Sequence, residues 1–421
     1  MTATMQVVSL GWTAPQRCST RWSAETPICV AGAGPVAARA GVRETSSLDA
    51  YRAFTEGRLR LETMDVAHVP AAVAHFERAV ALDPRYALPF VGLAHARFWL
   101  YEATRARNQP DATTLTAAIA DAHRATDLDP DLAEAHAALA LMLMSAGRTA
   151  EAVAAGRRSV ALEPGNWRNH CRLGVAAWGD ERVAAFERVL DLYPDFAYAY
   201  YGMAMVHVAR GGLSRAEQLL RVGVALQDRE RGTAERFPGN GLHWLLGLTR
   251  LAVGDTAEAR EEFDRELASG GHGVYAPEFV MNAYDGHGFA HLADGDADGA
   301  RAMFGRALET FPDHARSLLG VAAACHRAGL TQERDAAIDH AARGVVELRA
   351  SGRTAEAVMA TAFSHIVCER PDGAATALEQ WLVAAPPGFA GWTIPIEPFF
   401  AGLCAEPSFQ SALSRLAERA R

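Results

Sequence analysis

Lysine is missing from the sequence: all 41 basic residues among its 421 amino acids are arginine. The chain therefore has no P-loop lysine, no Schiff-base lysine and no lysine general base, which excludes the chemistries that need them. Acidic residues number 50, and the formal net charge is -9. Nucleic acids and acidic membranes are bound by basic surfaces, so we expect neither as a partner.

Patterns that indicate disulfides, membrane insertion or secretion are also missing. The six cysteines are scattered and form no C-x-x-C pair, unlike those of a disulfide-stabilised domain. No run of about eighteen apolar residues occurs, and the N-terminus lacks a basic region followed by an uninterrupted apolar segment. Half of the residues are hydrophobic and 22% are charged, as in folded chains. We therefore expect a folded cytoplasmic protein without membrane insertion.

A repeated pattern runs through most of the chain. The spacing Ala-x3-Phe-x2-Ala-x4-Pro begins at Ala72 and again at Ala300. Altered copies end at Pro130, Pro164, Pro194 and Pro386. A second helical pattern precedes each copy, and small residues allow two helices to approach closely while the large aromatic fills the space toward the next pair. The proline ends the second helix because it lacks an N–H. The pattern thus predicts consecutive helix pairs.

These residues resemble the tetratricopeptide repeat (TPR) family, whose second helix carries Ala, Phe and Ala before a Pro. The resemblance implies an all-α, right-handed superhelical solenoid of about nine helix pairs over residues 47–388. We expect residues 1–46 to form a poorly ordered leader and residues 389–421 to form a C-terminal capping segment and helix. The repeats start near Ser47, Ala87, Ala133, Trp167, Ala197, Asn240, Met281, Ala315 and Ala355.

The first repeats carry a narrower resemblance. SLDAYRAFTEGRLRLE and AVAHFERAVALDPRYALPFVGLAHARFWL are similar to TPR arrays attached to bacterial adenylate cyclase, serine/threonine kinase and winged-helix signalling proteins. The 46 residues before Ser47 are too few for any of those effector domains. The resemblance therefore implies a bacterial sensing or scaffolding part without its usual effector.

Two short motifs imitate ligand sites. GAGPVA at residues 32–37 matches the start of a dinucleotide-binding fingerprint, but the first repeat begins before a second parallel strand could form. DGDADG at residues 294–299 imitates a calcium loop, but glycine stands at the twelfth position, where a bidentate glutamate is needed. We interpret the first as part of the leader and the second as an acidic turn before a helix, and we expect no cofactor.

A possible metal site also has a simpler interpretation. His287 and His291 lie four positions apart on one helix, and His272 and Asp285 are nearby candidates for zinc ligands. However, His291 occupies the place in its repeat that His207 occupies in another, where the family has an aromatic. Packing and hydrogen bonding between helices is the favoured interpretation, and we predict no metal site.

In repeats of this family the first helix of each pair lines the concave face, so the register predicts which residues face a ligand. These residues are mostly apolar and aromatic, and they lack the Lys, Arg and Asn cluster with which some TPR modules clamp a chaperone C-terminus. The predicted partner-binding residues are Leu141, Met144, Trp178, Tyr198, Tyr201, Met205, Trp244, Leu248, Phe289 and Phe363.

We predict a protein-interaction scaffold or adaptor that binds an apolar or aromatic segment of a protein or peptide in the concave groove. Two alternatives stay open: the superhelix could bury this face against itself, or the protein could be a small-molecule sensor that closes around a hydrophobic ligand. An enclosed pocket would favour the sensor. An enzyme is least expected, because no familiar catalytic motif occurs.

Overall fold

The computed structural model describes residues 45–62, 66–107, 109–230, 241–269, 274–386 and 388–421. Within these ranges the chain forms α-helices and three short 3-10 helices and no strand, so the predicted all-α fold is confirmed. The α-helices are α1 Leu48–Leu61, α2 Val69–Leu82, α3 Ala87–Arg105, α4 Ala112–Leu128, α5 Ala133–Ser145, α6 Thr149–Leu162, α7 Trp167–Ala176, α8 Asp180–Leu192, α9 Ala197–Ala209, α10 Leu213–Glu230, α11 Leu242–Ala252, α12 Thr256–Ala268, α13 Ala276–Ala293, α14 Ala297–Thr310, α15 Ala315–Arg327, α16 Thr331–Ala350, α17 Thr354–Val367, α18 Pro371–Ala384 and α19 Pro407–Arg419. The 3-10 helices are Val66–His68, Ile394–Ile396 and Pro398–Leu403.

Successive helices pack in pairs, from α1 with α2 to α17 with α18, which gives nine pairs in the part of the chain that the structure describes. The first helices of neighbouring pairs also contact one another. Most first helices begin within two residues of the predicted repeat starts. The exception is α13, which begins at Ala276 rather than Met281. Pro277 lies in its first turn, where a missing N–H costs no helical hydrogen bond.

Glycine and phenylalanine fit together between the pairs. Phe186 on α8 lies between Gly174 of α7 and Gly202 of α9, and a Cβ atom at Gly202 would come within 2.2 Å of Phe186 Cε2. A Cβ atom at Gly320 would approach Phe304 in the same way, at 2.4 Å. The aromatic ring therefore fills a space that exists because the facing helix has no side chain at that point.

Two contacts join pairs that are far apart in sequence. Tyr275, just before α13, donates a hydrogen bond of 2.5 Å from Oη to Glu102 Oε2 on α3, and the guanidinium of Arg105 lies over the Tyr275 ring at 5.3 Å. Arg210, just after α9, donates two hydrogen bonds of 2.9 and 2.6 Å to the carbonyl oxygen of Ala420. The solenoid winds far enough for the second pair to meet the seventh and for the C-terminal helix to meet the fifth.

Residues 388–403, which we call the inner segment, lie between α18 and α19. The C-terminal helix α19 packs against α18, as a cap of the last pair would. The inner segment goes beyond the predicted cap, because Ile394–Ile396 contacts α9 and α11 while Pro398–Leu403 contacts α11 and α17. The three contacted α-helices, α9, α11 and α17, are each the first helix of their pair. The buried apolar residues of the inner segment are Trp392, Ile394, Ile396, Phe399, Phe400 and Leu403.

Several sequence-based expectations concern residues outside the described ranges. The predicted leader falls there except for residues 45 and 46, and so do the motif at residues 32–37 and the candidate ligand His272. Within the described ranges, no helix combines the length and the apolar character needed to cross a membrane.

Candidate functional site

The predicted partner-binding residues lie in the interior of the folded chain. Trp178 is partly buried. The nine buried residues are Leu141, Met144, Tyr198, Tyr201, Met205, Trp244, Leu248, Phe289 and Phe363. In this structure the chain itself therefore covers these side chains. The partner-binding role of these residues stays a prediction.

Trp392 and Phe399 of the inner segment contact three of the predicted residues directly. The Trp392 ring meets Tyr201 edge-on, with 6.5 Å between centroids. Phe399 meets Phe289 edge-on at 4.9 Å and stacks on Phe363 at 4.8 Å. Edge-on and offset stacked geometries are the favourable ones for aromatic pairs. The predicted aromatic surface thus accepts aromatic side chains, and here they come from the same chain.

The start of the inner segment covers a further part of this surface. Phe389 meets Trp178 edge-on at 6.3 Å, and it packs against the core that contains Leu141 and Met144. Sequence analysis identified the residues of this surface from their register within the repeats. It did not identify the inner segment as their contact, because a hydrophobic pattern shows that a segment needs burial without showing where it is buried.

A buried ionic cluster lies beside the aromatic contacts. Arg316 of α15 donates from Nε and Nη2 to Glu397 Oε1 at 3.2 and 3.0 Å, and from Nη1 to Asp285 Oδ2 of α13 at 3.1 Å. Both ion pairs have side-chain exposures of 0%. The Arg316 guanidinium also lies over the face of Phe289, 4.6 Å from its centroid. Burial raises the pKa of the Asp285 carboxyl, against the opposing effect of Arg316.

The residues considered as zinc ligands point to different partners. Asp285 belongs to the cluster with Arg316, His287 Nε2 lies 3.1 Å from Asp264 Oδ1, and His291 Nδ1 lies 2.9 Å from Asp296 Oδ2. Within the described ranges, His, Cys, Asp and Glu side chains form no group of three or more that could hold a metal ion. The histidines instead connect their helix to neighbouring helices and turns.

The acidic motif at residues 294–299 forms a turn and a helix cap. Asp296 accepts a hydrogen bond of 2.9 Å from the backbone N–H of Gly299 and caps α14. Asp294 accepts one of 2.9 Å from Thr256 and also pairs with Arg260. These contacts fit the interpretation of the motif as an acidic turn before a helix.

One histidine lies between two carboxylates, an arrangement that can occur in catalytic sites. His243 Nδ1 is 2.7 Å from Glu262 Oε2, and His243 Nε2 is 3.2 Å from Asp228 Oδ1. The His243 side chain is completely buried, and Glu266 beside it binds the backbone N–H groups of Gly241 and Trp244. Since a substrate has no access to a completely buried ring, these contacts fix the start of α11 against α12.

A cavity of about 810 Å³ lies where the second and third pairs approach pairs seven to nine. Its apolar lining consists of Tyr101, Met144, Met281, Phe311 and Phe389, among smaller residues. Its charged lining consists of Glu102, Arg105, Arg107, Glu278, Asp313, Glu347, Arg353 and Glu356. Burial lowers the pKa of His314, which also lines the cavity, so that its ring is neutral at pH 7. Of these residues, only Met144 was predicted from the sequence to face a ligand, because the cavity depends on how far the superhelix winds.

The repeat pattern and the helix pairs are matched by known proteins. The family profile described as tetratricopeptide repeat matches residues 104–166 and 287–344. The chain contains tetratricopeptide repeats. TPR arrays generally present an extended concave surface to binding partners, and such proteins act as interaction scaffolds. No functionally curated protein sequence is detectably similar to this chain.

Three solved structures illustrate how far the likeness extends. The human IFIT1 dimer with PPP-AAAA has a TM-score of 0.51 and 16% identity, over 80% of this TPR chain and 73% of that chain. The APC/C hetero-tetramer Cut9-Hcn1 has a TM-score of 0.48 and 15% identity, over 72% of this chain and 54% of that chain. A tetratricopeptide repeat protein from Parabacteroides merdae has a TM-score of 0.45 and 14% identity, with coverages of 65% and 98%. The likeness to IFIT1 concerns the fold alone, and the resemblance to signalling-protein arrays stays a prediction.

Proposed function

We propose that this TPR protein is an interaction scaffold that holds an extended apolar and aromatic segment of a partner protein against its concave face. The seating of the inner segment supports the proposal, because Trp392 and Phe399 pack onto the aromatic residues of the groove. Aromatic anchors in well-packed pockets supply most of the binding energy in interfaces of this kind. The partner segment takes up the same positions by exchange with the inner segment.

Such an exchange has a considerable energetic cost. Six large apolar side chains of the inner segment are buried, and each contributes roughly 1.5–3 kcal/mol relative to an exposed position. The ordering of the backbone offsets part of this sum. The inner segment is also tethered, which gives it an effective concentration on the order of millimolar. We therefore expect weak uptake of a partner by the wild-type chain and stronger uptake when the inner segment is loosened.

A labelled peptide with the sequence of residues 388–403 tests the proposal. Its binding to the full chain is measured by fluorescence anisotropy, for the wild type and for the double variant Trp392→Ala/Phe399→Ala. We expect the double variant to bind the peptide at least about tenfold more tightly, because its own segment competes less. The matched control Ala401→Ser, at an exposed position of the same segment, should behave as the wild type.

Two outcomes contradict the proposal. The first is a double variant that keeps its helical circular dichroism and does not bind the peptide. The second is tight binding of an RNA oligonucleotide in the same assay, since IFIT1 has a related fold and its structure contains PPP-AAAA. We expect no RNA binding, because the chain carries a net charge of -9 and phosphates are bound by basic surfaces.

A second candidate function, a small-molecule sensor, is favoured by the cavity. Its volume of about 810 Å³ lies within the range of roughly 300–1,000 Å³ for sites that hold small organic ligands. Five carboxylates and three guanidinium groups line it, which favours a cationic ligand with an apolar body. Phenethylammonium should raise the melting temperature of the protein, and the anion phenylacetate should not. An equal effect of both ions would count against this candidate.

A further inference from the structure

The inner segment contains a single charged residue. Between residues 388 and 403 the sequence reads GFAGWTIPIEPFFAGL, in which Glu397 is the only ionisable acid or base. Nevertheless, Glu397 is 3% exposed, as buried as the apolar residues around it. A buried carboxylate is unfavourable unless it is paired, so its location requires a matching cation in the groove.

Arg316 is that cation, and residues of the groove also hold its side chain. Its Nη1 atom is bonded to Asp285 on the neighbouring first helix, and its guanidinium lies on the face of Phe289. The Nε and Nη2 atoms point toward the inner segment, where both donate to one oxygen of Glu397. A side chain fixed in this way loses little conformational freedom on binding a carboxylate.

The residues around Glu397 define the position of the carboxylate relative to the apolar side chains of the inner segment. Ile394 and Ile396 precede it and Phe399 and Phe400 follow it, and all four side chains are buried. Phe399 packs on Phe289, the same ring that Arg316 covers. The aromatic contact and the charged contact therefore share one wall of the groove, and a segment that fits one is in register for the other.

We infer that the partner of this groove is a protein segment with a side-chain carboxylate two positions before an aromatic pair, and that Arg316 selects the carboxylate. This inference rests on the proposed function, since it concerns the same groove. A neutral residue in place of the carboxylate leaves the buried Arg316 guanidinium with one fewer anionic partner, which is unfavourable even where that residue supplies an oxygen acceptor. A basic residue adds repulsion between like charges.

Peptide variants test the inference without altering the protein. The full-length Trp392→Ala/Phe399→Ala chain is titrated with the wild-type peptide of residues 388–403, with its Glu397→Gln variant and with its Ala401→Ser variant as a matched control. We expect the Gln peptide to bind at least about tenfold more weakly, because an uncharged amide replaces a buried acceptor of a cation. The Ala401→Ser peptide should bind like the wild-type peptide.

The outcomes separate this inference from the proposed function. If the wild-type and Gln peptides bind equally, selection by Arg316 is wrong while the groove function stands. If neither the wild-type nor the control peptide binds to the folded chain, the groove function itself is wrong. The chain variant Arg316→Gln supplies a second test: where it is folded, it should no longer distinguish Glu from Gln in the peptide.

Another copy of this chain could supply the same sequence, so oligomeric state is measured alongside. We expect the wild-type protein to elute as one species from 1 to 100 μM in size-exclusion chromatography with light scattering, a range chosen to span typical interface affinities. A dimer that the free peptide dissociates would identify a second copy as the occupant and overturn the assignment to another protein.

Discussion

Replacement of Arg316 by methionine removes the cation of the buried ionic cluster and keeps an unbranched side chain. Arg316 and both of its carboxylate partners have side-chain exposures of 0%. In the variant, Asp285 and Glu397 would share a buried site with no cation between them. Removal of one partner from a buried ion pair costs about 3–5 kcal/mol. We expect the free energy of unfolding to fall by about this amount at pH 7.

Urea denaturation followed by far-ultraviolet circular dichroism measures this loss, and a double-mutant cycle assigns it to the ion pair. The variants are Arg316→Met, Glu397→Gln and the two combined. Because the combination removes the unpaired Glu397 charge, we expect it to be more stable than Arg316→Met by about 1–3 kcal/mol. The matched control is Arg306→Met, since Arg306 is exposed and pairs with exposed Glu309, and it should leave the urea midpoint close to that of the wild type.

The reasoning would be refuted by either of two results. One is a loss below about 1 kcal/mol for Arg316→Met, within the range of an ordinary surface ion pair. The other is additivity of the two substitutions, which would mean that Arg316 and Glu397 do not stabilise each other. Either result would mean that the ion pair between Arg316 and Glu397 does not hold the inner segment in its position.

Further predictions concern other parts of the fold. Gly202→Ala should lower the free energy of unfolding by about 1–3 kcal/mol, because its methyl group meets a buried aromatic ring at 2.2 Å. Gly305→Ala, on a helix and with no atom within 4 Å of the added methyl, should instead be neutral or stabilising by about 0.5–1 kcal/mol in urea denaturation. Tyr275→Phe removes the hydrogen bond to Glu102 and should cost about 1.5–3 kcal/mol; an unchanged melting temperature would mean that this contact does not hold the second and seventh pairs together. Burial raises the pKa of Asp121 to about 6, against the effect of a nearby arginine. The unfolded chain therefore releases this proton at lower pH than the folded chain, and the free energy of unfolding falls as the pH rises from about 4 to about 6. The Asp121→Asn variant has no carboxyl to titrate, so its free energy of unfolding relative to the wild type should rise by up to about 2 kcal/mol over that window. Urea midpoints of both proteins at the two pH values measure this change. A constant difference between the midpoints would contradict the raised pKa of Asp121.

The helix pairs could be predicted from the sequence because each depends on local patterns. Pro84, Pro164 and Pro312 follow the ends of second helices, as their missing N–H groups require. Phe186 and Phe304 fill the spaces that the pattern assigned to them. These features repeat within about 34 residues, so each copy supports the interpretation of the others.

The contacts between distant pairs could not be predicted in the same way. The bond from Tyr275 to Glu102 depends on the total rotation accumulated over the four intervening pairs, and several repeats are irregular in length. The position of the inner segment has a similar cause. Its residues Trp392 and Phe399 clearly required burial, but the last exposed helix face and the concave groove both offered an apolar surface. The groove also offered Arg316, a basic residue on a mostly apolar face, about one repeat after Asp285 in the sequence.

The return of the chain onto its own earlier pairs changes how this solenoid is expected to unfold. A linear repeat array contacts itself only through nearest neighbours, so its ends can fray while the middle stays folded. Here Arg210 holds the carbonyl of Ala420, and the inner segment connects α9, α11 and α17. Loss of the last pair would also expose the middle of the array. We therefore expect one cooperative unfolding transition in place of stepwise fraying, and slower folding than in a linear array, because the closing contacts join residues far apart in the sequence.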